Sequence, residues 1–358
     1  MTNFWENLPK PFFALAPMEA VTDVVFRQVI AKAGAPDVWF SEFTNATGWV
    51  HAGQKAIGGR LIKTDGEHPI IAQIWGGEPG DMEQLANRCR ELGFDGIDIN
   101  MGCPAKSAIK SGGSALIRKP DIAIEAIKSA QTAGLPVSVK TRLGYTHVDE
   151  WRVWLKTLLE QDIVNLTIHL RTKKEMSKVP AHFELIPEII KLRDEIAPQT
   201  LLTINGDIQN YQHGLELTDK YPGIDGIMIG RGVLQDPFCF NQACVISNPE
   251  ESAFPAEASQ ERQLNQLATS RSEGLDDEMS GSGSKQMVVS SKGRELINLL
   301  FYHLDLYDQW QPELSRPYET LKRFFKIYIR DFDGARELRD ELMQTKSTTE
   351  ARQILNKI

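Results

Sequence analysis

Gly96-Ile97-Asp98-Ile99-Asn100-Met101-Gly102-Cys103-Pro104 is the stretch on which the fold turns. Its apolar run has the length of a short buried strand and breaks abruptly into Gly, Cys and Pro. A thiol therefore sits where a strand becomes a loop. In a parallel α/β barrel, that end of the strand is where active sites are built. Ser111-Gly112-Gly113-Ser114-Ala115-Leu116 follows, small and flexible in composition, as a loop closing over a ligand would be.

Other apolar runs end in polar residues in the same way. Residues 12–16 run into Pro17-Met18-Glu19, 37–40 into Ser41-Glu42, and 69–72 into Gln73. Residues 136–139 end in Lys140-Thr141-Arg142, and 164–168 in His169-Leu170-Arg171. Residues 201–204 end in Asn205-Gly206-Asp207, and 226–229 in Gly230-Arg231-Gly232. Helical patterns separate them: one opens at Asp81 and stops near Gly93, another opens at Lys119-Pro120-Asp121 and stops at Gly134. Eight such strands in about 230 residues predict an α/β fold, a (β/α)8 TIM barrel, whose typical size is ~250 residues. An open doubly wound sheet would carry G-x-G-x-x-G after its first strand, where this chain has Ala16-Pro17-Met18.

Of the 358 residues, 41% are hydrophobic and 25% charged, which is the balance of an ordinary globular protein. No run approaches the ~18 apolar residues of a membrane helix, and no signal peptide is expected. Cys89, Cys103, Cys239 and Cys244 form no C-x-x-C pair. Scattered thiols fit a cytoplasmic protein, and no metal site is expected.

The barrel is expected over 1–247, an acidic and partly flexible linker over 248–291, and a smaller all-helical domain over 292–358. Residues 248–284 carry a local charge of −6, most of the overall −8. Residues 256–269 have a helical option, and 270–286 read as a solvated connector. Beyond it, Leu296, Leu299, Leu300, His303, Leu304 and Tyr307 share one helical face, and Leu321, Phe324, Phe325, Tyr328 and Ile329 the next. Residues 316–358 carry a local charge of +3. A solvated bundle of mixed charge accounts for this tail. An RNA face is held beside that reading because Arg316, Lys322, Arg323, Lys326 and Arg330 interleave with Tyr318, Phe324, Phe325 and Tyr328.

Each strand-end residue has two readings. Cys103 is either a structural thiol or, given its place before Pro104 at the catalytic face, a reactive one; the position favours catalysis. Lys140 is either an exposed strand end or an inward lysine needing an anionic or carbonyl partner. His169 also suits a core histidine, and turn chemistry alone explains Asn205-Gly206-Asp207. Gly230-Arg231-Gly232 is more specific, because the loops after strands seven and eight of such barrels often cradle a phosphate. A phosphate cradle, a lysine, a histidine and a glutamine at one mouth suit a flavin mononucleotide.

Together these motifs resemble the tRNA-dihydrouridine synthase family. Ala16-Pro17-Met18, Asn100-Met101-Gly102-Cys103-Pro104, Lys140-Thr141-Arg142, His169-Leu170-Arg171-Thr172 and Gly230-Arg231 occur in that family's order. The tail from Arg316-Pro317-Tyr318 through Ala335-Arg336-Glu337-Leu338-Arg339 resembles its C-terminal helical RNA-binding domain. The linker is the departure, being less compact than is usual in the family.

The resemblance implies an FMN-dependent oxidoreductase, a monomer, that reduces the C5–C6 double bond of D-loop uridines in tRNA with NADPH as reductant. Hydride would pass from flavin N5 to C6, and Cys103 would give the proton to C5. By the same resemblance Ala16, Pro17 and Met18 would lie against the flavin ring, and Gln73 and Lys140 would hydrogen-bond it. His169, Asn205, Gly206, Asp207, Gly230 and Arg231 would hold the rest of the cofactor. Asn100 and Arg142 would grip the uracil, with Arg171 and Lys173 contacting RNA. Two alternatives stay open: a flavin barrel acting on a free pyrimidine (dihydroorotate or dihydropyrimidine dehydrogenase type), and a non-enzymatic RNA-binding protein.

Overall fold

The computed structural model describes residues 3–53, 57–105, 108–110, 112–242 and 289–358. Its centre is a parallel sheet. The strands are β1 (Phe12–Leu15), β2 (Trp39–Phe40), β3 (Thr44–Asn45), β4 (Ile70–Trp75), β5 (Gly96–Asn100), β6 (Val137–Arg142), β7 (Asn165–His169), β8 (Leu201–Asn205) and β9 (Gly226–Ile229). They pair in the order β1-β9-β8-β7-β6-β5-β4-β2, and a bridge between Ala14 and Val38 brings β1 and β2 together. The expected (β/α)8 barrel is present, nearly closed.

All eight expected strands form, but β4 to β8 run one to three residues further than their apolar runs. Gln73, Asn100, Lys140, Arg142, His169 and Asn205 are therefore strand residues rather than loop residues. The second strand is the irregular one. After Phe40 the ladder yields to a side chain, with Ser41 Oγ accepting from Gln73 N at 3.0 Å. Pairing with β4 resumes at Thr44 and Asn45, giving a short β3 that the sequence pattern did not reveal.

Register positions the site. Side chains two apart on a strand share a face. Gln73, Asp98, Ser138 and Asn165 are laddered neighbours, and Asn100, Lys140, Thr167 and Thr203 form the next row. Arg142, His169, Asn205 and Met228 form the row at the C-terminal mouth. At the opposite end, Trp5, Phe12, Ala14, Phe40 and Ile71 belong to a separate apolar cluster. The barrel interior is thus oily at one end and increasingly polar toward the other.

Outer helices bury the reverse faces. α1 (Val24–Ala33) is N-capped by Asp23, whose carboxylate accepts from Phe26 N. α2 (Ala46–Ala52) is capped in the same manner by Asn45. α3 (Pro79–Glu91) and α4 (Pro120–Gln131) each begin with proline at the first turn, where no amide hydrogen is needed. α5 (Trp151–Leu159), α6 (Ile186–Ile196) and α7 (Tyr211–Lys220) complete the ring, and a short α8 (Gly232–Gln235) follows β9.

The tail begins with α9 (Ser291–Leu314), capped by Ser290, with Leu296, Leu299, Leu300, His303 and Leu304 buried as their spacing predicts. The expected second helix is instead two single turns, α10 (Glu319–Lys322) and α11 (Phe325–Tyr328), followed by α12 (Ala335–Gln344) and α13 (Thr348–Leu355). The break lets Phe324 stack on Phe26 of α1, ring centroids 5.0 Å apart.

Three of the four interleaved aromatics are core: Phe324, Phe325 and Tyr328 are buried, in one apolar cluster with the outer face of the barrel, and Tyr318 is half-buried against it. Arg316 is likewise no free RNA contact, since it pairs with Asp23 (2.7 Å) and with the buried Glu42. Lys326, Arg323 and Arg336 are exposed. The expected linker, the helical option at 256–269 and Cys244 lie outside the described residues, apart from 289–291.

Candidate active site

A cavity of about 410 Å³ opens at the C-terminal mouth, within the usual range for small-ligand sites. Ala16, Pro17 and Met18 line it from the end of β1, Asn100 and Cys103 from β5, and Lys140 and Arg142 from β6. His169, Asn205, Gly206, Asp207, Gly230 and Arg231 complete the ring. Three sequence candidates lie elsewhere. Gln73 is fully buried beneath, bonded to Asp98 and Asn100. Arg171, expected to contact RNA, is 2% exposed and bonds to Val179 O, His169 and Asp207. Lys173 sits over the Tyr145 ring at 4.9 Å.

The thiol loop is held from both sides. Gly102 N and Cys103 N donate to Asn100 Oδ1 at 3.1 and 2.9 Å, and Ser114 N donates to Cys103 O at 3.1 Å. Gly113 is required there. Its φ is +55°, and a Cβ would lie 2.9 Å from Cys103 O. The described part of the segment after Cys103 is not an open flexible loop: it forms short helical turns with Ser114 and Leu116 buried.

Charge at the mouth is predominantly positive. Burial, reinforced by Arg142, pulls the Lys140 ammonium down to about 8, despite the opposing influence of Asp98. Lys140 Nζ donates to Asn205 Oδ1 at 3.1 Å. Burial and the cations Arg142, Lys140, Arg171 and Arg231 hold His169 well below its ordinary value, so its ring is neutral. Because a guanidinium can only donate, His169 Nε2 accepts from Arg171 and the ring proton lies on Nδ1. Burial pushes the Asp207 carboxyl up, but bonds from Arg171 and Ala181 N and the charge of Arg231 outweigh it and hold it low. Burial pushes the Cys103 thiol up, against Ala105 N–H, Arg142 and Lys140, so it is protonated at neutral pH.

The family model described as Dihydrouridine synthase (Dus) matches residues 14–289. Over 356 residues the chain is 51% identical to the "Probable tRNA-dihydrouridine synthase 2" of Bacillus subtilis (strain 168), covering 99% of this chain and 96% of that protein. The chain belongs to the dihydrouridine synthase family. It is also 48% identical to the "Probable tRNA-dihydrouridine synthase" of Staphylococcus epidermidis (strain RP62A), over 99% of this chain and 95% of that protein. A solved structure of morphinone reductase is a distant likeness, at TM-score 0.49 and 14% identity over 68% of this chain and 88% of its own.

In this dihydrouridine synthase family member, Phe43, Ser177, Gln209 and Gln235 also line the cavity. Phe43, Ser177 and Gln209 lie in connections without periodicity and Gln235 ends the single turn α8, so no sequence signal marked them. Ser177 belongs to a loop braced by Glu175, which accepts from Thr172 N at 2.7 Å, and by Arg142 Nη1, which donates to Thr172 O and Met176 O. Among the described residues no group of His, Cys, Asp and Glu could hold a metal ion, and no helix is long and apolar enough to cross a membrane.

Proposed function

We propose that this protein reduces the C5–C6 double bond of uridines in tRNA to 5,6-dihydrouridine, using FMN and NADPH. The observation that carries this reading is the convergence of one protonated thiol, Cys103, and a cationic wall, Lys140 and Arg142, on a single cavity. The names of the curated relatives support tRNA as substrate.

The cavity's donor set fits a flavin mononucleotide. Ala16, Pro17 and Met18 offer an apolar wall, Lys140 and Asn205 offer polar donors, and Arg231 stands beside Gly206 and Gly230 at the far end. Gly206 has φ +122° and a Cβ there would meet His169 at 3.2 Å, so only glycine keeps that backbone open to a ligand. The one lining carboxylate, Asp207, is already paired with Arg171 and Arg231. When bound, FMN would supply the hydride for uracil C6, with NADPH as its source.

This chain's residues do the rest. Lys140 balances negative charge on the cofactor side, and Arg231 takes the phosphate with charge-assisted bonds. Asn100 spends its oxygen and one N–H on the protein, leaving one N–H for a uracil carbonyl. Arg142 spends Nε and Nη1, leaving Nη2. Cys103 gives its proton to C5 as hydride reaches C6, and the thiolate regains a proton from water. Positioned proton transfer of this kind typically contributes ~10²–10⁴-fold. The uridine must leave its stack to reach this depth. The helical tail holds the tRNA through exposed cations such as Lys326, Arg336 and Lys346. A tRNA substrate puts the reaction in the cytoplasm.

The test is direct. Purified protein is scanned for flavin absorbance, then given NADPH with either unmodified tRNA or free uridine, and product is read as a mass gain of two hydrogens. Product on tRNA alone is expected. A colourless protein that binds no FMN, or turnover of free uridine with none on tRNA, would overturn the reading.

A further inference from the structure

A run of buried hydrogen bonds reaches from inside the barrel to the thiol loop. Ser138 Oγ donates to Asp98 Oδ1 at 2.6 Å, and Gln73 Nε2 donates to Asp98 Oδ2 at 2.7 Å. Asn100 Nδ2 donates to Gln73 Oε1 at 3.0 Å, and Asn100 Oδ1 accepts from Gly102 N and Cys103 N. Ser138, Asp98 and Gln73 are fully buried, and Asn100 is 5% exposed.

The direction of every bond is forced from the loop end. Backbone N–H groups only donate, so Asn100 must turn its oxygen toward Cys103 and its nitrogen toward Gln73. Gln73 must then show oxygen to Asn100 and nitrogen to Asp98, which has to accept. A group donating from position 98 would reverse both amides and set the Asn100 NH2 against the Gly102 and Cys103 N–H groups, donor against donor. We propose that Asp98 is a positioning residue that fixes the Cys103 loop by setting the orientation of the Gln73 and Asn100 amides.

The bland account of Asp98 is a satisfied polar group stabilising the barrel. It predicts an effect on stability but none specific to Cys103. As a claim about catalysis, the proposal rests on Cys103 being the proton donor. As a claim about loop placement, it does not.

The experiment uses the full-length holoenzyme and iodoacetamide, with alkylation of Cys103 followed by peptide mass spectrometry so that Cys89, Cys239 and Cys244 are scored separately. A pH series separates thiol pKa from access. Asp98→Leu removes the acceptor, and its Cys103 should alkylate about tenfold faster, the scale of losing one buried hydrogen-bond partner. Asp98→Asn can still accept from Gln73 and should stay within about twofold of the native rate. Gln73→Met cuts the relay one step closer and should match Asp98→Leu, and adding Asp98→Leu to it should change the Cys103 rate no further. If Asp98→Leu does not fold, Asp98→Ala removes the acceptor without adding bulk.

Three results overturn the proposal: native alkylation in the Leu or Ala variant, an Asn variant as reactive as Leu, or an Asp98 effect that persists undiminished in the Gln73→Met background. A separate Cys103→Ala enzyme that still reduces tRNA at the native rate would sink the catalytic reading while leaving the loop result to stand.

Discussion

Replacing Lys140 with Met should make the flavin-free protein more stable while making it a poorer flavin binder. A lysine held near 8 against its ordinary 10.5 corresponds to roughly 3 kcal/mol opposing its charge in the fold. Asn205 Oδ1 loses its donor in the variant, and Lys140 keeps some contact with the mouth, so a net gain of about 1–2 kcal/mol is expected at neutral pH. The sign with pH follows from linkage. The folded pKa is depressed, so native stability is penalised in full below about 8 and the penalty vanishes by about 10.5. Urea unfolding of both proteins, stripped of flavin, should show the advantage of Met at pH 7 shrinking as pH rises across that window. FMN titration should show weaker binding by the variant. A Met variant less stable than native at pH 7, or an advantage independent of pH, would refute the account of Lys140 as a buried charge awaiting an anion.

Cys103→Ala should keep its flavin and its reduction by NADPH while tRNA reduction falls by ~10²–10⁴, read by single-turnover product analysis; near-native turnover would remove the thiol from the mechanism. Arg231→Ala should leave the melting temperature unchanged, because the side chain is exposed, but weaken FMN about tenfold or more by equilibrium dialysis. Unaltered affinity would take Arg231 off the phosphate. Arg316→Leu leaves the buried Glu42 without its cation, and a loss of about 3–5 kcal/mol in denaturant unfolding is expected at neutral pH. Burial raises the Glu42 carboxyl, so the loss should ease as Glu42 protonates in acid; a constant loss would mean that charge is not its cause.

The barrel was legible because eight apolar runs each met a polar residue, and that pattern reports burial directly. Lys140 and His169 were legible as positions but not as states. Arg142 lies two residues from Lys140 on its own strand, but that it also stands against His169 comes from cross-strand register, which no local pattern encodes. Gln73 was legible as a strand-end residue, but its buried bonds to Asp98 and Asn100 come from pairing with β5. In the tail, helical spacing marked Phe324 and Tyr328 as one face without saying which neighbour covers it. For Phe324 it is Phe26 of α1, some 300 residues earlier in the chain, and for Tyr328 it is His303 of α9. Arg316 was misread for the same reason, its carboxylate partners being Asp23 and Glu42.

The laddered rows of the barrel have a consequence for how this sequence can change. Every polar group of the cavity wall between β5 and β8 owes its inward direction to odd–even position on its strand. Deleting one residue between Ser138 and Lys140 would turn Lys140 or Ser138 out toward the helices and bring a valine or threonine inside. Insertions in the helical crossovers leave that parity untouched. Length variation among natural or engineered versions should therefore collect in the outer ring, while the strands keep their count to the residue.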